Sequence, residues 1–272
     1  MKSRLAYIGN VKVKNNEVYK KSNQKVIDLI NYLDNKGFNY LPNYRFNNDF
    51  ITYDYIDDLA ISNEEKALEL IKTLAILHHK TSYYKEITQE DIRRIYDKYQ
   101  NHLKYYLIYF KNYFDKKIDN EFYQPDELLL LNNYTIINDY LNLGLSYLEE
   151  WFNKVSKLNS VRLSLIHNNV NLEHLIINQN NYLISYDHAM FDLSIIDLVL
   201  FYVKYYDQFD FIKLFLEYQN IDHLEPEEIL LLKVLLIINF KYEDDLDILG
   251  NTKQNTIFIS YLNRVLKIIK TF

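Results

Sequence analysis

The stretch "SLIHNNVNLEHLIINQNNYLISYDHA", Ser164 to Ala189, holds three of the chain's seven histidines, one glutamate, one aspartate and a run of asparagines. Imidazole and carboxylate groups this close in sequence are the material of acid–base chemistry or of metal ligation. His167, His174 and His188 with Asp187 have the donor types that suit zinc or manganese. The spacing of His167 and His174, with six residues between them on a loop and a strand, matches no established metal motif. The competing reading makes His167 a buried, hydrogen-bonded organiser of its loop and His174 a half-exposed polar residue, with no metal expected.

The elements around this stretch follow from periodicity. Residues 163–187 read as a short apolar strand, a polar loop, a second strand, a hairpin turn and a third strand. Upstream, "SNEEKALELIKTLAILHHKT" opens with Ser62 as an N-cap, and Leu68, Ile71, Leu74, Ala75 and Leu77 form its apolar stripe. Tyr- and Leu-rich helices are expected from Gln89 to Phe114 and from Pro125 to Lys157, and helices resume at Ile195. Near the N-terminus, "NVKVKNNEVYKK" alternates about an Asn15-Asn16 turn, the signal of a β-hairpin. A helix carrying Val26, Ile27, Ile30 and Leu33 ends at Gly37, and "FITYDYI" (Phe50 to Ile56) reads as a strand. The plan is α+β: a small lobe over residues 1–56 (hairpin, helix, strand), then a helical lobe over 57–272 with the β insert 163–187, and a cleft between lobes.

Composition narrows the function classes. A net charge of −6 with interspersed signs gives no electrostatic basis for nucleic-acid binding. The lack of cysteine excludes disulfides and thiolate metal sites and fits a reducing compartment. The N-terminus lacks the apolar run of a signal peptide, and "ILLLKVLLIINF" (Ile229 to Phe240) is too short to span a bilayer and carries Lys233. The expectation is a soluble cytoplasmic protein with no membrane or nucleic-acid partner. The 27 tyrosines stand beside many Asn, Lys and Ile, the residues of an A+T-rich genome, so their number alone does not define a binding surface. Tyr96, Tyr99, Tyr106 and Tyr109 recur near the helical period, as a packing face or a partner face. "YEDDLD" (Tyr242 to Asp247) reads as a solvated acidic turn.

The ordered segments "YDYIDD", "LAILHHKT", "LIHNNVNLEHLII" and "YLISYDHAMFDLSIIDLVL" resemble the aminoglycoside phosphotransferase/choline kinase-like family over about residues 16–200. The resemblance implies a two-lobed protein-kinase-like fold with a reduced N-terminal β lobe and a large helical C-terminal lobe. That family's catalytic loop reads H-G-D-x-x-x-x-N and its metal strand [LI]-I-D-[WF]-x-x-A. His167 matches the motif His, and Asn168 stands where Gly is usual. The catalytic Asp position falls on Asn169, the metal-binding Asn on His174, and the main Mg²⁺ ligand on Ser185. Ala189 matches the family Ala, and Asp197-Leu198, twelve residues after Ser185, matches a structural Asp-Leu pair. Placing Asp187 on the metal position instead leaves ten residues to Asp197, so the gapless alignment on Ser185 is preferred. Lys20, or Lys21 beside it, takes the place of the phosphate-contacting strand cation. The next helix has no Glu in its first turn, Asp28 being the nearest acid, and Gly9 is the sole glycine before Gly37. Tyr53, Asp54 and Tyr55 fall where the family holds a nucleotide by backbone hydrogen bonds.

These departures bear directly on chemistry. Phosphoryl transfer in that family uses ATP with Mg²⁺, a hard cation that prefers anionic oxygen. Asn169 cannot accept a proton at neutral pH, Ser185 offers a neutral hydroxyl, and His174 suits softer metals. Losing these groups together removes roughly three to six decades of rate. The expectation is therefore a catalytically degenerate kinase-like protein acting as a binding or scaffold module. Its expected partner is a protein, with a nucleotide or another small molecule as a further ligand. Its long Tyr/Lys-rich helices resemble those of spore-coat-associated kinase-like proteins of low-G+C Gram-positive bacteria. The alternative is an active ATP-dependent phosphotransferase acting on a hydroxyl or amino-alcohol acceptor, with Asp187 holding metal and His167 or His174 assisting.

Overall fold

The computed structural model describes residues 6–8, 11–21, 23–47, 50–240, 242 and 247–272. Gly9 and all but the ends of the acidic segment Tyr242 to Asp247 lie outside the described residues. The elements in chain order are β1 (Ala6–Ile8), β2 (Val11–Lys14), β3 (Glu17–Lys21), α1 (Gln24–Asn35), β4 (Arg45–Asn47), β5 (Phe50–Asp54), α2 (Asn63–Thr81), β6 (Tyr83–Glu86), α3 (Gln89–Lys117) and α4 (Pro125–Val155). There follow β7 (Ser160–Ile166), β8 (Leu175–Ile177), β9 (Asn181–Leu183), β10 (Met190–Asp192), α5 (Ile195–Tyr205), α6 (Phe211–Ile221), α7 (Pro226–Ile238) and α8 (Ile248–Thr271). They form two compact units, neither continuous in sequence. One comprises the chain up to residue 83 with 162–200 and 213–223, the other 84–161, 201–212 and 224–272.

The first unit carries a five-stranded sheet in the order β1-β2-β3-β5-β4, antiparallel throughout. Asn15 and Asn16 both have positive φ, 52° and 63°, and close the β2–β3 hairpin as a type I′ turn that matches strand twist. Periodicity foresees a hairpin, one helix and one further strand; β1 and β4 enlarge the sheet beyond that. Each is three residues long, and β4 is exposed along its whole length, so neither has a two-faced apolar pattern of its own. Their order comes from hydrogen bonds to β2 and β5.

Helix α1 begins at Asn23, whose side chain accepts the Val26 N–H, and stops before Gly37, which takes φ +68°. It buries Val26, Leu29, Ile30 and Leu33. Helix α2 opens with a reciprocal cap between Ser62 and Glu65 and buries Leu70, Ile71, Leu74, Ala75 and Leu77. Within and around the β insert are two antiparallel pairs, β7 with β10, which lies just beyond the expected insert (Ile166 opposite Met190), and β8 with β9 (Leu175 opposite Leu183).

The second unit is helical, packed around α4. Gly144 of α4 lets the helices close in. A Cβ there would lie 3.0 Å from Leu103 of α3 and 3.3 Å from Ile237 of α7. Helix α7 is buried on nearly every side from Leu230 to Ile238, which accounts for its unbroken apolar run. On the tyrosine-rich α3, Tyr96 takes the packing role: its hydroxyl donates to Glu149 at 2.6 Å and its ring meets Phe152. Tyr105 is exposed. Among the described residues no helix is long and apolar enough to cross a membrane.

Candidate functional site

The polar loop after β7 is held by one carboxylate. Asp197, fully buried in the first turn of α5, accepts the His167 N–H on one oxygen and the Asn168 N–H on the other, each at 2.7 Å. This double cap stabilises a corner where Asn168 adopts φ +56°, a conformation that non-glycine residues other than Asn and Asp rarely take. The Asp197 oxygen that caps His167 also lies 3.0 Å from His78 Nε2, which donates to it. His78 Nδ1 lies 2.8 Å from the Tyr218 hydroxyl, and that hydroxyl donates to Asp222 at 2.9 Å. Arg162 pairs with Asp222 at 3.0 Å, and the exposed His79 stands 3.6 Å from it. The two adjacent histidines in the last turn of α2 thus divide: the His78 ring is a buried structural link and His79 a surface residue.

His167 is itself buried. Its Nε2–H donates to the Ile184 carbonyl at 2.8 Å, tying the loop to the chain just after β9. Burial holds its pKa below the ordinary value of 6.5, against the opposing pull of Asp197, so the neutral ring is favoured. His174 follows in a short helical turn, half-buried, with its ring 5.4 Å from that of His167. Its Nδ1–H donates to the Asn169 carbonyl at 2.8 Å. Each imidazole therefore spends a nitrogen on a different backbone carbonyl. The zinc or manganese grouping of His167, His174, His188 and Asp187 is not formed: among the described residues no three His, Asp or Glu side chains converge on one point.

A cavity of about 320 Å³ lies within the first unit. Strands β2, β3 and β5 supply one wall, α1 contributes Val26 and Ile30, and the β insert closes it with Glu173, Ile176 and Ile184 to Tyr186. Of the residues singled out from sequence, Lys20, Tyr53, Tyr55 and Ser185 line it. Tyr53 and Tyr55 share a face by strand alternation, and burial pushes the Tyr53 hydroxyl up to about 12. Asp54 points away and pairs with Arg45 at 2.7 Å. The Tyr55 N–H, a donor the resemblance would offer to a nucleotide, already donates to the Asn16 carbonyl at 2.8 Å. Beyond it, Asp58 pairs with Lys66 and accepts the Ile177 N–H, fastening this segment to β8.

Ser185 takes φ +70° and ψ 54°, an uncommon conformation for a residue with a Cβ. Asp187, two residues on, forms an ion pair with the Lys20 ammonium. The resemblance brings Mg²⁺ to this place, and the donors present do not fit it. Ser185 is neutral, His174 is a nitrogen ligand already hydrogen-bonded, and the nearby carboxylate of Asp187 is neutralised by Lys20. Glu173 went unremarked in the sequence. It stands immediately before the motif position occupied by His174, and that adjacency is the signal that could have found it. The buried link through Tyr218, Asp222 and Arg162 had no local signal, because Arg162 and Asp222 lie 60 residues apart and His78 and Tyr218 140.

No family model and no curated protein matches the sequence. Among solved structures, the chain is similar to an aminoglycoside phosphotransferase from Alicyclobacillus acidocaldarius subsp. acidocaldarius DSM 446. The TM-score is 0.63 at 12% identity, covering 99% of this chain and 93% of that one. A spectinomycin phosphotransferase in complex with ADP and spectinomycin matches with a TM-score of 0.46 at 11% identity, over 99% of this chain and 93% of its own. A choline/ethanolamine kinase family protein from Mesorhizobium loti gives 0.45 at 11% identity, over 97% and 92%. The first of these carries the fold. The chain has the protein-kinase-like fold of an aminoglycoside phosphotransferase, with a small N-terminal sheet and a mostly helical remainder.

Proposed function

We propose that this chain is a catalytically degenerate kinase-like protein that keeps its cleft as a binding module, working through a bound ligand and a protein partner. One observation carries the reading: an open cavity of about 320 Å³ persists while the positions marked for chemistry have other engagements. Asn169 stands where a proton acceptor is needed, and its carbonyl holds His174. Ser185 stands where an anionic ligand is needed, and Lys20 is paired with Asp187. Such a site can enclose a small molecule but lacks the charge arrangement that stabilises a transferring phosphoryl group.

The test joins two measurements on the full chain. Phosphoryl transfer from ATP to alcohol and amino-alcohol acceptors is assayed with Mg²⁺ and with Mn²⁺, and thermal unfolding is followed with ATP plus each metal or EDTA. The expected outcome is no turnover above the protein-free blank and no metal-dependent rise in Tm. The Asp187 carboxylate beside Lys20 favours a second reading, an active phosphotransferase with a displaced ligand. Metal-dependent turnover that disappears in Asp187→Ala would establish it and sink the first.

A further inference from the structure

The helical unit has an opening of its own, a groove of about 710 Å³ lined by α8 and by the chain that joins α5 to α6. We propose that this groove binds a short peptide with free termini, its carboxylate toward α8 and its ammonium toward Asp207. Such a site shares no residue with the cleft and stands whether or not the chain turns over ATP. Its volume lies within the usual range for small-molecule sites.

Opposite charges line the groove without meeting. Helix α8 carries four cations and no Asp or Glu, in a chain whose net charge is −6. Two of the four, Arg264 and Lys267, sit about one turn apart on the wall of the groove. Asp207 and Asp210 belong to the facing connection, where Asp210 accepts the Ile212 N–H at the start of α6. Arg264 donates to the Tyr206 carbonyl at a long 3.4 Å, and among the described residues no ion pair engages Asp207, Arg264 or Lys267. These cations and Asp207 therefore stand too far apart to pair, and a body carrying both signs can bridge them. The four charges cancel, which disfavours a ligand of one sign only. The rest of the lining matches peptide groups. Gln208 and Asn263 each offer an amide with donor and acceptor, and among the described residues no hydrogen bond engages either side chain. Phe209, Phe211, Ile259 and Ile268 supply apolar surface for side chains. Tyr202, 1% exposed, borders the groove with a buried hydroxyl that finds no partner among the described residues. An unmet hydroxyl is costly in the interior, and a peptide carbonyl is the acceptor it lacks.

Titration calorimetry on the full chain at neutral pH and low salt tests this with leucyl-alanyl-phenylalanine, its N-acetyl form, its C-terminal amide and the doubly blocked form, beside free phenylalanine. The free tripeptide should bind, and blocking either terminus should weaken it by about threefold or more. Free phenylalanine should bind more weakly than the tripeptide, because its two charges sit on one carbon and cannot reach both walls. Arg264→Gln should abolish the penalty of amidation while leaving that of acetylation, and Asp207→Asn should do the reverse. Added salt should narrow every one of these differences. A doubly blocked tripeptide that binds as tightly as the free one would overturn the proposal and assign the groove to an internal segment of a partner protein. Binding of none of the probes to a protein that melts cooperatively would overturn it as well. Penalties that persist unchanged in both variants would place the termini elsewhere and also sink it. None of these results bears on ATP turnover or metal-dependent Tm, by which the reading of the cleft is judged.

Discussion

Asp197 shows how one residue can outlast a site's chemistry. Its carboxylate accepts three donors, two from the backbone at the start of the polar loop and one from His78, and it has no exposure to solvent. Removing it strands two N–H groups and an imidazole in the interior. Asp197→Ala should therefore cost about 3 kcal/mol or more, measured by urea unfolding. Asp197→Asn, which still offers one carbonyl oxygen, should cost less. A loss under about 1 kcal/mol for the alanine variant would show that the loop is held by something else. None of this depends on a proton acceptor at Asn169 or a metal ligand at Ser185. The loop can keep its shape with both replaced.

Among the elements, the helical unit depends on close approach more than on any polar link. Gly144 sits where α4 meets both Leu103 of α3 and Ile237 of α7, with a Cβ already at the limit of contact. Gly144→Val adds two methyl groups beyond that Cβ and must push the helices apart or force strained rotamers. The expected destabilisation is about 1–3 kcal/mol, read as a fall in Tm without loss of helical circular dichroism at low temperature. An unchanged Tm would mean that the contact relaxes without cost. In the other unit, elements are secured at their ends instead, by the Asn23 cap on α1, the Ser62–Glu65 cap on α2 and the paired positive-φ asparagines of the hairpin.

For the whole molecule, the abundance of tyrosine becomes a statement about pH. Tyr140, Tyr186, Tyr218 and Tyr261 are buried, and burial raises each hydroxyl well above its ordinary 10.0. In the unfolded chain these groups ionise near 10.0, while in the folded chain they keep their protons. The stability they contribute is fully present below that pH and is lost progressively as pH rises from it toward the raised values of the folded state. Thermal unfolding should therefore show Tm falling steeply above about pH 10. The near-ultraviolet absorbance of the native protein should report exposed tyrosines ionising first and the buried ones only as the fold is lost. A single smooth titration of all tyrosines with Tm unchanged would contradict this placement.

Much of this was written locally in the chain. The hairpin at Asn15-Asn16, the helix ends at Ser62 and Gly37 and the buried β insert follow from side-chain period and backbone preference, which act within a few residues. The motif order of the loop and the strand after it carried the fold, and the types at Asn169, His174 and Ser185 already posed the chemical question. Other features were decided by long-range contact. Short edge strands such as β4 take their order from a neighbour. Asp54 turned out to serve Arg45, and Asp187 to serve Lys20. The sequence also does not reveal that Glu173 and Ser185 share a wall with Lys20, Tyr53 and Tyr55. Charge pairing and cavity shape are properties of groups brought together through space, and local preference carries no information about which distant group arrives. So the chain alone determined the frame of the site, and the tertiary structure decided which of its charges remain free.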